Sequence, residues 1–470
     1  MRLLIFLLFC LINLAGCAYY GDMHSSSEPL TTDTLTNHHT YRPSTTQIEN
    51  TKNDWWKVFK DPELNQLIDV ALADSPTMKI AESRVRKAQQ FANKAYSSLW
   101  PSLDFSGYVQ RQRFAEFGLV PPPFNGRTFN ISDLGFNFNY EFDFWGKNRS
   151  ILAARVSEEC ATQADLAQAQ LILSAAIANT YFQLLNNIEQ EKIAREDAHA
   201  SQEITNIVVD RAKNGIESDI PVKNALAHEQ SAKLAVQQFK QAQMLSRNQL
   251  AFLLGKNPFT TEIINRPFKY RAHSIHLPEN LPAHLLIQRP DLFAAKARAT
   301  AAAKQINVAK AYFFPDINLN GLFSYQTAAG HLFDPGSQNN AGTLAFDLPV
   351  FDAGARRANL GIKYAEYDVA INSYNQTLLR ALREVADQLS IIQTVKQQIL
   401  SQNNAVTAVR TNYKLFNSRY KHGIVNYEVV LETKELLLEY HAEQIQLQTR
   451  HLQAMVDMMK ALGGNDSKQG

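Results

Sequence analysis

Few side chains in this sequence are spaced for covalent chemistry. His228-Glu229 opens like a zinc-peptidase helix, but Ala232 stands where the second histidine is needed. No nucleophile elbow and no phosphate-binding glycine loop occurs, and the twelve histidines are scattered. The chain is therefore expected to be no enzyme and to need no cofactor or metal. The charges that attract attention are non-catalytic. Glu428 and Glu432 are spaced i,i+4, which puts two carboxylates on one face of a helix. Such a pair is either a solvated surface feature or, repeated around an axis, a cation-favouring constriction whose groups resist full ionisation. Arg211 and Lys213 precede Gly215, and Arg419 and Lys421 precede Gly423. Cations at those helix C-termini suit the helix dipole.

The bulk composition narrows the function classes. Net charge is +2 and charged residues make up 20% of the chain, so nothing favours nucleic acid as a partner. The cysteines are Cys10, Cys17 and Cys160. With Cys10 inside an export leader and Cys17 ending it, Cys160 stands alone and no disulfide framework is available. Arg2 followed by the apolar run Leu3 to Ile12 reads as a signal peptide, too short to span a bilayer. Leu14-Ala15-Gly16-Cys17 resembles a bacterial lipobox, which makes Cys17 the expected lipidation site and first mature residue. Residues 17–53, rich in Ser, Thr, Asn and His, read as a lipidated N-terminus and extended tether.

The elements that carry the charges are written twice. A shift of 214 places Pro76 on Pro290, Arg84 on Arg298, Pro101 on Pro315 and Gly107 on Gly321. A shift of 208 places Gly146 on Gly354, Arg211 on Arg419, Gly215 on Gly423 and Leu254-Gly255 on Leu462-Gly463. Lys147 to Asn214 contains no glycine or proline over 68 residues, a helix of about 100 Å. Globular helices average about a dozen residues. Phe136, Phe138, Tyr140, Phe142 and Phe144 alternate with Asn137, Asn139, Glu141 and Asp143, which is strand periodicity with one aromatic and one polar face. Weaker alternation recurs in Leu103–Val109, Ile317–Tyr325 and Leu344–Val350. Segments of this kind suit a membrane β-barrel. Four strands from one chain cannot close a barrel, so at least a dimer or a trimer is required.

Asp54-Trp55-Trp56 with Phe59, Asp61-Pro62 and Leu64 opens a pattern. It continues in Leu281-Pro282, Leu285, Arg289-Pro290-Asp291, Ala294-Ala295 and Phe313-Phe314-Pro315, and ends in Arg419-Tyr420-Lys421-His422-Gly423, Asn426-Tyr427 and Leu431-Glu432. In this order, over Asp54 to Gly464, the set resembles the TolC family of outer membrane efflux proteins. With the lipobox, it is most similar to the lipoprotein branch serving pumps of the resistance-nodulation-division (RND) type.

The resemblance implies a mainly α fold with membrane β: a homotrimer whose chains each give four strands to a twelve-stranded barrel, continued by a long periplasmic helical barrel. It implies a periplasmic adaptor and an inner-membrane pump as partners, and outer membrane lipid around the barrel. It places Glu432, where relatives usually have Asp, in the periplasmic gate with Glu428 contributing. Arg419 would pair with a carboxylate on a neighbouring helix. The turns at Arg211, Gly215, Arg419 and Gly423 are the expected adaptor contact. The expected division is a signal peptide at 1–16, the tether at 17–53, a first repeat at 54–257, a linker at 258–280, a second repeat at 281–464 and a tail at 465–470. Strands are expected at about 102–110, 134–144, 316–326 and 343–351, and long helices at about 147–214 and 355–422. The expected function is a passive exit duct for drugs or other small molecules. A channel for type I protein secretion is the alternative, and a soluble helical pore or scaffold a distant third.

Overall fold

A computed structural model describes residues 23–30, 54–259, 289–328 and 330–464. The leader, Cys17, most of the 258–280 linker, Leu281-Pro282, Leu285 and the 465–470 tail lie outside the described residues. After a 3₁₀ turn at Trp55–Phe59 come α1 (Pro62–Asp74), α2 (Pro76–Ser97), β1 (Ser102–Arg113), β2 (Thr128–Glu141), α3 (Lys147–Lys213) and α4 (Asp219–Leu253). The second half supplies α5 (Pro290–Ala311), β3 (Asp316–Thr327), β4 (Gln338–Asp347), α6 (Ala355–Lys421) and α7 (Tyr427–Ala461).

The duplication survives in the element lengths. Both long helices have 67 residues and both following helices have 35, each pair offset by 208 positions. The helix ends repeat too. Gly215 and Gly423 both take φ +70°, and the next amides, of Ile216 and Ile424, bond back to the carbonyls of Arg211 and Arg419. That left-handed turn closes the last carbonyls of a helix and strains any residue but glycine.

The chain divides into two units that cut across the repeats, since each repeat contributes to both. The first contains 84–163, 294–375 and the N-terminal residues up to Pro29, and hence the sheet. Its strands run β1-β2-β3-β4, antiparallel throughout. Register puts Leu103, Phe138 and Gly321 side by side, then Phe105, Phe136 and Phe323, then Gly107, Leu134 and Tyr325. Side chains opposite one another share a face, so all of these line one apolar surface. The other face carries Ser102, Asn139, Asn320 and Thr343 in one row. Glycine makes room for the large groups: a Cβ on Gly107 would sit 2.6 Å from Leu134 Cδ1, and one on Gly321 would press on Phe138.

Two strand boundaries differ from the expected ones. β2 starts at Thr128 and stops at Glu141, so Phe142 and Phe144 fall beyond it. The aromatic alternation runs on, but Asp143 turns the chain by accepting the amides of Asn148 and Arg149 as the N-terminal cap of α3. β4 covers Gln338–Asp347 rather than 343–351, because Pro349 cannot donate to a ladder and Asp352 caps α6 through Arg356 N.

The second unit holds Leu30, 54–83, 164–259, 289–293 and 376–464 among the described residues. Its core gathers Trp55, Trp56, Phe59, Leu64 and Ile68 against Ile177, Tyr181, Leu184, Met455 and Met459, all buried. Trp55 Nε1 donates to Ser174 Oγ at 3.1 Å, and Tyr181 OH donates to Asp61, the cap of α1. The opening motif is thus a packing element. Arg289 is buried and donates to the Ala461 carbonyl, to both oxygens of Asp291 and to Glu384, at 2.8–3.0 Å. Among the described residues, no helix is long and apolar enough to cross a membrane.

Candidate functional site at the hairpin turns

The C-terminus of α3 and the N-terminus of α7 meet in the second unit. Arg211 Nη1 donates to Glu428 Oε2 at 2.5 Å, with side-chain exposures of 28% and 17%. Half-buried ion pairs of this kind carry charge-assisted hydrogen bonds stronger than neutral ones. One residue earlier, Tyr427 OH reaches Glu203 on α3 at 3.4 Å, and its ring lies 5.0 Å from that of Tyr420. Glu432, one turn further along α7, is exposed. Gly215, Gly423 and Arg419 are exposed as well, as are the neighbouring Ile216 and Ile424.

Of the residues singled out from sequence, Arg211 and Glu428 are therefore brought together. Glu428 is engaged by a cation of its own chain, while Glu432 keeps an open carboxylate. Within the chain, it is Arg211 rather than Arg419 that pairs with a carboxylate across helices.

A second layer lies deeper along the same helices and was not read from the sequence. Ser201 Oγ on α3 donates to Glu435 Oε1 on α7 at 2.5 Å and lies 3.2 Å from His228 Nδ1 on α4. His228 stands 3.8 Å from Glu435. Burial pushes the Glu435 carboxyl above its ordinary range; Ser201 and His228 oppose this, and Asp197 and Glu432 add to it. Asp197 is also raised, by burial first and by Glu439, against His228. A signal existed in the sequence: Glu428, Glu432, Glu435 and Glu439 continue one another at spacings of four, three and four. Only the fold shows that His228 and Ser201 face Glu435.

A family model, described as outer membrane efflux protein, matches residues 67–256 and 281–464, the two repeats in turn. The chain belongs to the outer membrane efflux protein family. It is 30% identical over 419 residues to the pyoverdine export outer membrane protein OpmQ of Pseudomonas putida, covering 87% of each chain. It is 29% identical to the multidrug resistance outer membrane protein MdtQ of Escherichia coli O157:H7, covering 97% of this chain and 96% of that one. The crystal structure of the outer membrane protein VceC of Vibrio cholerae superposes with a TM-score of 0.78 at 31% identity, over 88% of this chain and all of that one. The chain is accordingly an outer membrane channel subunit of an efflux system.

Proposed function

We propose that three copies join their four-stranded sheets into one barrel in the outer membrane and form a passive exit duct reaching into the periplasm. The observation that carries this reading is the sheet: one face carries Phe105, Phe136, Phe138, Phe323, Leu344 and Phe346, drawn from all four strands, and β1 and β4 each leave an edge unpaired within the chain. Lipid tolerates no such edge, so neighbouring copies must supply the missing partners. An inner-membrane pump, of RND type, drives transport through a periplasmic adaptor that docks on the turns at Arg211, Gly215, Arg419 and Gly423. The channel itself catalyses no reaction. Glu432 lines the gate, and the Arg211–Glu428 bridge holds α7 against α3 in the resting state. An acyl group on Cys17 anchors the N-terminus.

Relatives named for pyoverdine export and multidrug resistance support small organic molecules as the cargo class. A deletion strain tested against a compound panel should accumulate dyes and antibiotics, and plasmid-borne protein should reverse this. Unchanged accumulation with loss of a secreted protein would transfer the channel to type I secretion. Mass spectrometry of the mature N-terminus should find acylated Cys17 as the first residue.

A further inference from the structure

Where its helices leave the sheet, the first unit has a recess of about 380 Å³. Three helices line it. On α3, Lys147, Ile151 and Arg155 follow one another at spacings of four, and the last two reach the recess. α5 contributes Gln305 and Val308, with Tyr312 just past its end, and α6 contributes Asn359 and Lys363. Buried Val308 gives the recess an apolar base, while its walls carry two amides, a phenol and two cations.

Lys147 fixes the side of the wall on which the recess opens. Its Nζ donates to Asp316 at 3.0 Å, pairs with Glu141 at 2.6 Å and lies 5.6 Å from the centre of the Tyr312 ring. Glu141 stands opposite Asn318, two residues past Asn139, and Asp316 is two residues before Asn318. Both acids therefore belong to the polar face of the sheet, and the recess continues that face. The other side of α6 is already taken. Asp368, about 180° around the helix from Asn359, receives the hydroxyls of Ser25 and Ser26.

The two cations are not equivalent. Lys363 donates at 2.9 Å to Glu366, a half-exposed carboxylate one turn further on. Arg155 has no carboxylate within ion-pair distance among the described residues; its guanidinium lies over the Phe91 ring of α2, 5.7 Å from the centroid. Lys87 lies 5.8 Å from the same ring and adds positive charge. Stacking holds the guanidinium plane and leaves its edge N–H groups free, and that edge matches the two oxygens of a carboxylate.

We propose that the recess is a binding site for an organic anion with an apolar body, set into the wall of the duct. Arg155 takes the anionic group, Gln305 and Asn359 take its remaining acceptors, and Tyr312 with Val308 takes the apolar part. The volume is in the range of pockets that hold small organic ligands. The proposal rests on the reading that the polar face of the sheet encloses the duct.

The test uses the full-length protein, in planar bilayers and in uncharged detergent, with 2-naphthoate as the probe and neutral 2-naphthamide as its control. In wild-type protein the acid should bind roughly tenfold more tightly than the amide and should interrupt single-channel current as its concentration rises. Arg155→Ala should weaken both binding and block by roughly tenfold. Arg155→Lys should keep part of both, because an ammonium retains the charge without the fork. Equal affinity for acid and amide in wild-type protein, or acid binding that Arg155→Ala leaves unchanged, overturns the site. The first comparison needs no variant, so it stands even where a substituted chain fails to assemble. Acid binding in detergent that depends on Arg155 but never interrupts current keeps the site and rejects the placement of the polar face around the duct.

Discussion

Arg211 and Glu428 bridge the two repeats at 2.5 Å, and the duplication does not reproduce the bridge. The shift of 208 that carries Arg211 to Arg419 carries Ile220 to Glu428. The first repeat thus has isoleucine at the position that corresponds to Glu428, and Ile220 is exposed. Two repeats with the same helices therefore differ in charge at corresponding positions.

Breaking the bridge should loosen the resting channel. Arg211→Ala or Glu428→Gln removes one partner of a half-buried charge pair, a loss of about 1–2 kcal/mol or roughly 5- to 30-fold in the closed-to-open ratio. Single-channel recordings should show higher mean conductance, and cells should become more sensitive to large antibiotics. Ile220→Glu, which offers Arg419 of an adjoining copy the missing carboxylate, should lower conductance. Wild-type behaviour in all three would remove the bridge from gating.

Proton binding to the deeper layer has a definite sign. Glu435 and Asp197 have raised pKa values in the folded chain, so each takes up a proton more readily there than when unfolded. The stability this contributes is full below the ordinary carboxylate range and is lost as pH rises through the raised values. Protonation also relieves repulsion among Asp197, Glu432, Glu435 and Glu439. Acidifying the periplasmic side toward that range should therefore tighten α7 on α3 and reduce open time in bilayers. Glu435→Gln should flatten this dependence. A wild-type channel that opens on acidification would contradict the assignment.

The two sheet faces should respond differently to the same charge. Phe138→Lys puts an ammonium on the apolar face and should cost roughly 2–4 kcal/mol near the bilayer midplane. Asn139→Lys, one residue on and facing the other way, should be mild. Urea unfolding of the protein in lipid vesicles measures both, and equal losses would reverse or abolish the facial assignment.

Arg289→Ala should destabilise the helical unit without altering the pore. It leaves Asp291 and Glu384 without their buried counter-charge, a penalty of about 3–5 kcal/mol. Arg289→Lys should recover only part of it, since an ammonium cannot keep the forked bonds to Asp291 together with those to Glu384 and the Ala461 carbonyl. A lower melting temperature with unchanged conductance in surviving channels is the expected result.

Much of this protein is local and therefore legible in its residues. The absence of glycine and proline from Lys147 to Asn214 specifies a rod, because nothing within it interrupts the i→i−4 ladder. Glycines at 215 and 423 mark its ends, because only a residue without Cβ takes the left-handed turn cheaply. Alternation around Phe136 specifies a two-faced strand, since side chains on a strand point to opposite sides in turn. The ends of that strand were less legible: the aromatic period runs through Phe144, whereas the last bond to β3 is from the Phe142 amide to the Ile317 carbonyl, and Asp143 beyond it already accepts amides of α3.

Long-range pairing was left to the tertiary structure. Nothing in the spacing of Arg211 and Glu428, 217 residues apart, says that they touch, nor that Arg419 differs from Arg211 in what it meets. His228 resembles a broken metal motif until the fold sets it beside Ser201 and Glu435. The serines at 25–27 are indistinguishable from the rest of a polar tether until Asp368, more than 340 residues later, receives them. Periodicity and backbone preference act between neighbours and are written in neighbours. A hydrogen bond between distant helices depends on how those helices are rotated about their axes, and that rotation is decided only when both have packed.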